Sequence, residues 1–124
     1  MYLTVSDATK TYGSFTALDG VSIEIEKGEF VCLLGPSGCG KSTILRLLAG
    51  LLQPTSGQVV RGEDLAVAFV FQEPNLLPWR SVVGNVGLPL ELAGLPADEQ
   101  ARRVDECLEL VGLSQLDRPK RPQE

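Results

Sequence analysis

Histidine is absent from the 124 residues, so no imidazole is available as base, acid or metal ligand. Cysteine is sparse: Cys32, Cys39 and Cys107 are odd in number, show no metal-site spacing, and read as reduced cytosolic thiols. There is a single tryptophan, Trp79, and aromatics reach only 6% of the chain. No apolar run is long enough to span a bilayer. The start, Met1-Tyr-Leu-Thr-Val-Ser-Asp7, lacks the basic-then-apolar order of a secretory signal. Basic residues are scattered and outnumbered, 11 against 16 acidic, for a net charge of −5. That balance argues against nucleic acid as the main partner. No internal repeat and no linker between two domains is visible.

What is present fits one small domain, with 44% hydrophobic residues to build a core. The run Gly35-Pro-Ser-Gly-Cys-Gly-Lys-Ser-Thr43 matches G-x-x-x-x-G-K-[ST] in full, through Gly35, Gly40, Lys41 and Ser42. Ahead of it Phe30-Val-Cys-Leu-Leu34 reads as a buried parallel strand. Behind it Ile44 to Ala49 reads as a helix closed by Gly50. Strand, glycine loop and helix together turn backbone amides and a helix N-terminus toward an anion. The nine residues Gly35, Pro36, Ser37, Gly38, Cys39, Gly40, Lys41, Ser42 and Thr43 are therefore the candidate contacts for a nucleoside triphosphate. Lys41 can reach the β and γ phosphates and the Ser42 hydroxyl can ligate Mg²⁺. The plainer alternative is an ordinary glycine-rich turn.

Along the rest of the chain, residues 2–9 and 21–26 alternate with the period of half-buried antiparallel strands. Lys27-Gly28 reads as a turn into the loop strand, Pro54 to Gly57 as a turn and Gln58 to Val60 as a short strand. Leu65 to Phe71 is a second apolar run, expected as a strand buried on both faces. Gln72 to Trp79 is a polar loop. A helix is expected from Ser81 to Ala93, with Gly84, Gly87 and Pro89 in its middle. A clearer one runs from Ala97 to Val111, started by Pro96 and Asp98, with Val104, Leu108 and Val111 on one face and Gly112 at its end. Asp117 to Glu124 fits neither helix nor strand.

These residues carry a resemblance. Tyr12 in Lys-Thr-Tyr-Gly, ahead of Ala17 to Ser22, the phosphate loop in the form Pro-Ser-Gly-Cys-Gly, and Gln72 after Phe69-Val-Phe71 occur in the order and spacing of ABC transporter nucleotide-binding subunits. The chain resembles the N-terminal half of such a subunit. The continuation Leu76-Leu-Pro-Trp-Arg-Ser-Val82, then Asn85-Val86, is similar to importers of the nitrate, sulfonate and taurine type. The resemblance implies an α/β fold: a partial P-loop NTPase core with an N-terminal antiparallel β subdomain over residues 1–80. Residues 81–124 would be the start of a helical subdomain. It implies ATP and Mg²⁺ as cofactors, Tyr12 as the adenine-stacking ring, and Gln72 as a contact to Mg²⁺ or water. Trp79 is implied to meet a transmembrane permease subunit, and a second copy of the subunit to complete a dimer. The place implied is cytoplasmic, peripheral on the inner face of the cell membrane. By residue type alone, plainer readings stay open: Tyr12 as a strand-end aromatic over the core, Gln72 as a solvated loop residue, and Trp79 as a side chain folded onto the core.

By the same resemblance, the signature motif, the second acidic strand, the water-activating glutamate and the switch histidine are not among these residues. The chain is thus expected to bind ATP without a complete hydrolytic apparatus, since such groups carry orders of magnitude in rate. Two other functions remain open on sequence: a nucleotide-holding or partner-docking module, and a guanylate-kinase-like phosphotransferase with a similar Gly-Pro-Ser-Gly loop.

Overall fold

The computed structural model describes residues 2–124. The chain divides into two compact units, Met1–Val70 and Phe71–Glu124.

In the first unit, β1 (Leu3–Tyr12) and β2 (Phe15–Ile25) form an antiparallel hairpin, and β3 (Ser56–Arg61) pairs antiparallel with the other edge of β1. The sheet order is β2-β1-β3. The expected antiparallel pairing is therefore present, with a hairpin longer than the alternation alone indicated. Strict alternation would send Val5 and Ala8 to opposite faces. Both are nonetheless buried, because the register shifts between them. Asp7 absorbs the shift with φ 45°, and its N–H donates to Ser22 Oγ at 3.0 Å. Opposite this irregularity Gly57, at φ +79°, brings β3 so close that a Cβ would lie 2.3 Å from the Asp7 carbonyl oxygen.

Helix α1 (Lys41–Ala49) buries Ile44 and Leu47 against Val5, Ala8 and Leu18 of the sheet. Gly50 ends it in the left-handed conformation, as expected: its N–H donates to Leu47 O at 3.1 Å and that of Leu51 to Arg46 O at 2.9 Å. Arg61, the last residue of β3, adds a cation at this end. Its Nε donates to Leu48 O at 2.9 Å and its Nη2 to Leu47 O, where the helix dipole is negative.

The two apolar runs behave differently from expectation. No strand forms over 30–34 or 65–71 among the described residues, and Phe30 and Val70 are 93% and 95% exposed. Only Leu33 of the first run packs on the core. β1 and β2 find one another through a two-residue connection, whereas a parallel strand needs a neighbour brought in by a crossover. The described residues contain no such neighbouring strand for these runs.

In the second unit α2 (Val82–Leu92) starts at Ser81, whose Oγ accepts from Gly84 N at 3.1 Å. It continues through Gly84, Gly87 and Pro89. Gly87 lies against α3 (Ala97–Leu110), where an added Cβ would stand 3.4 Å from Val104 Cγ2. Val104 and Leu108 are buried as expected, but Val111 is exposed because it falls at the C-cap, where the helical face has already turned away. Gly112 follows with φ +73°. The segment after Asp117 forms turns, and its carbonyls satisfy the start of α2: Val82 N donates to Lys120 O at 2.8 Å and Val83 N to Arg118 O at 3.2 Å. Arg118 is itself buried and ion-paired to Asp105 through Nη1.

Candidate nucleotide-binding site

The phosphate loop joins the 30–34 run to α1. Gly40 caps α1 with φ +95°, and no side chain caps that end, which leaves its first amides without a side-chain acceptor. Gly40 has no room for anything larger. A Cβ there would lie 2.7 Å from both the Ala17 carbonyl oxygen and Leu18 Cδ2. The loop is thus seated on β2 by backbone contact. Gly38, at φ +81°, turns the middle of the loop with open space around it.

Lys41 folds back over the loop. Its Nζ donates to Gly35 O at 2.5 Å and Pro36 O at 2.6 Å, and lies 3.4 Å from Cys39 Sγ. The ammonium is therefore held above the concave side by carbonyl oxygens. Those are weak partners beside a polyphosphate, whose charge a lysine pairs with more strongly. A Cβ at Gly35 would come 2.7 Å from Cys39 Sγ, so a larger residue there would have to displace the thiol. These observations fit a bound polyphosphate. Pro36, Ser37, Gly38, Cys39 and Ser42 are all exposed around it.

Tyr12 stands at the hairpin end, opposite Phe15 in the register and 51% exposed. Phe15 is two residues before Ala17, the point on β2 that Gly40 touches. The ring and the loop thus share one stretch of strand, about 7 Å apart along it. Lys10 and Phe15 were passed over on sequence, although Lys10 lies two positions before Tyr12, the strand spacing that shares a face. The same holds for Arg61, whose role depends on a helix end far away in sequence.

Gln72 and Trp79 lie in the second unit, both exposed, with Trp79 at 68%. Trp79 is therefore not folded into a core. Its loop is organised by Asn85, whose Oδ1 accepts from Leu77 N at 2.8 Å. The Asn85 Nδ2 donates to the carbonyls of Leu77, Arg80 and Ser81 at 3.1, 3.2 and 3.1 Å. Next to it Arg80 pairs with Glu91 at 2.7 Å. That hydrogen bond, reinforced by charge attraction, raises the Arg80 pKa and lowers that of Glu91. Among the described residues no cluster of acidic or cysteine side chains could hold a metal by itself.

A family model described as "ABC transporter" matches residues 18–123. The chain belongs to the ABC transporter family. This membership sets the guanylate-kinase-like alternative aside. Among curated relatives, the methionine import ATP-binding protein MetN of Geobacillus kaustophilus is 46% identical, over 90% of this chain and 38% of its own length. An Fe(3+) ions import ATP-binding protein of Pasteurella multocida is 43% identical, over 91% of this chain and 35% of its own. A spermidine/putrescine import ATP-binding protein of Pseudomonas aeruginosa is 46% identical, over 90% and 33% respectively. This ABC-family chain therefore spans little more than a third of the curated relatives it matches. Among solved structures, the dimeric ATP-binding cassette MJ0796 with ADP and Pi superimposes with TM-score 0.84 at 34% identity. That match covers 98% of this chain and 62% of the other. The α/β fold of an ABC ATPase cassette is thereby established for these residues.

Proposed function

We propose that these residues are the ATP-binding part of the ATPase subunit that energises an ABC importer. The observation that carries the reading is the Lys41 ammonium poised over a glycine-built loop at an uncapped helix N-terminus. Lys41 would leave the Gly35 and Pro36 carbonyls for the β and γ phosphates, and the loop amides would complete the anion cradle. Ser42 would hold Mg²⁺, which supplies charge neutralisation between the phosphates when bound. Tyr12 would carry the adenine on its ring, a contact that tolerates any purine because it reads a face and few edges. Gln72 would contact water or the metal.

Hydrolysis and its coupling to transport are proposed for the whole protein, and nucleotide binding for the 124 residues themselves. The importer reading draws support from the printed functions of the relatives, which name methionine, Fe(3+) and polyamine import. The nitrate, sulfonate and taurine class rests only on the resemblance of Leu76 to Val82 with Asn85-Val86. The Leu76-Leu-Pro-Trp79 loop, with Trp79 exposed, is the proposed seat of the permease subunit, and a second copy of the subunit is the proposed dimer partner. Among the described residues no helix is long and apolar enough to cross a membrane. Attachment at the inner membrane face is proposed to come through the permease.

Isothermal titration decides the central claim. Lys41→Ala should weaken ATP at least ~10-fold, the loss of one charge-assisted contact, with the unfolding midpoint unchanged. Wild-type ATP affinity in this variant would overturn the assignment.

A further inference from the structure

Lys10 is used neither by the phosphate loop nor by the core, yet its ammonium is fixed in place. Its Nζ donates to the Gln53 carbonyl oxygen at 2.9 Å and lies over the Tyr12 ring, 5.2 Å from the centroid. That distance is within the range where a cation is attracted to the electron-rich face of an aromatic ring. The anchor beneath is firm. Thr55 N donates to Thr9 O at 2.8 Å, and Thr55 Oγ1 accepts from Thr11 N at 3.0 Å. The 53–55 segment is thus stitched to the end of β1 on both sides of Lys10.

From this geometry we infer that Lys10 is a positioning residue for the base: it occupies one face of Tyr12 and so presents the other, in a fixed orientation, to a purine. The inference rests on the reading that Tyr12 stacks the adenine. A half-exposed tyrosine at a hairpin tip would otherwise sample several rotamers, and ordering it on binding costs affinity. The ammonium removes part of that cost in advance. It also makes the stack one-sided, because a base cannot occupy the face the ammonium covers. Nothing in the arrangement brings Lys10 to the phosphate loop, whose own cation is Lys41. Its effect should therefore follow the base and not the phosphates.

Titration of the 124-residue chain with ATP and with inorganic tripolyphosphate separates these contributions. Lys10→Met, which keeps the stem and removes the charge, should weaken ATP about two- to fivefold and leave tripolyphosphate unchanged. Lys10→Arg, which keeps a cation over the ring, should restore ATP affinity. In a Tyr12→Ala background Lys10→Met should cost nothing further. Equal losses for ATP and tripolyphosphate would show a general charge effect and overturn the inference. So would an undiminished loss in the Tyr12→Ala background, or no loss of ATP affinity in Lys10→Met. The stacking reading fails separately, if Tyr12→Ala weakens both ligands equally. In the ligand-free chain the Lys10 ε-methylene protons should be shifted upfield by the ring and return to ordinary values in Tyr12→Ala. An unshifted signal would show that the pair does not form and would overturn the inference independently of any ligand.

Discussion

The sheet of the first unit and the two apolar runs beside it are built from the same kinds of residue, yet only the sheet is formed. β1 and β2 meet through Gly13 and Ser14, and β3 returns to β1 after α1 and a short connection. Every pairing there is completed inside the described residues. The runs at 30–34 and 65–70 flank the phosphate loop and α1, and no strand forms over them. An apolar run announces a demand for burial without naming the partner that meets it, whereas a hairpin supplies its partner along with its pattern. The site inherits this division. Gly40 is clamped on the formed sheet, while the loop's other end hangs from the exposed run.

The strongest way to break the comparison is to truncate one residue on each side of it. Leu47, fully buried beneath the sheet, should cost ~3 kcal/mol on replacement by Ala, from lost burial and the cavity left behind. Phe30→Ser, at a site with almost no packing, should stay within about 0.5 kcal/mol. Urea unfolding of the two variants measures both. A Phe30→Ser loss as large as that of Leu47→Ala would mean that the run is packed in solution and that the contrast is false.

A second test moves the comparison into the loop itself. Gly40→Ala combines a positive φ with a Cβ 2.7 Å from backbone and side chain of β2, so the loop must lift off the sheet. About 2–3 kcal/mol of destabilisation is expected, with loss of ATP binding. Gly38→Ala meets nothing within 4 Å and bears only the left-handed backbone cost, about 1–2 kcal/mol. If denaturation midpoints rank the two the other way, the seating of the loop on Ala17 and Leu18 is not what holds it.

How much of this was legible in the sequence follows the same line. The phosphate loop could be read residue by residue, because its chemistry fixes glycine, lysine and hydroxyl at set positions. The Gly50 cap, Ser81 at the start of α2 and the Val104–Leu108 stripe were legible for the same local reason. No strand forms at 30–34 or 65–71, because apolar content signals a need for burial without supplying the neighbour. Three further features are not fixed by the sequence alone: the Lys10–Tyr12 contact, the Arg61 cap on α1 and the Arg118–Asp105 pair. Each joins residues whose proximity depends on the folded chain, or, for Lys10, on a carbonyl at Gln53 that fixes its direction. Val111 shows the limit at finer scale, since one residue decides whether a helical position faces the core or ends the helix.

The smallest expected effect concerns the exposed face of α3, which is laced by ion pairs while Val104 and Leu108 bury the other. Glu99 accepts from Arg102 and Arg103 at 2.7 Å each, and Arg102 also reaches Glu106 at 2.6 Å. Hydrogen bonds from Arg102 and then Arg103 hold the Glu99 carboxyl below its ordinary range. A carboxyl lowered in the folded state adds stability above its unfolded pKa and loses it as pH falls through the folded one. The pairs are solvent-exposed, so salt screens them and their contribution is small. Glu99→Gln should therefore lower the melting temperature slightly at neutral pH and low salt, less than either glycine variant. The difference from wild type should close as the pH drops below the usual glutamate range, or as salt approaches about 1 M, where the Debye length is only about 3 Å. Melts followed by far-ultraviolet circular dichroism across pH provide the check. A gap between Glu99→Gln and wild type that persists unchanged in acid and in high salt would assign the effect to packing of the Glu99 side chain instead of its charge.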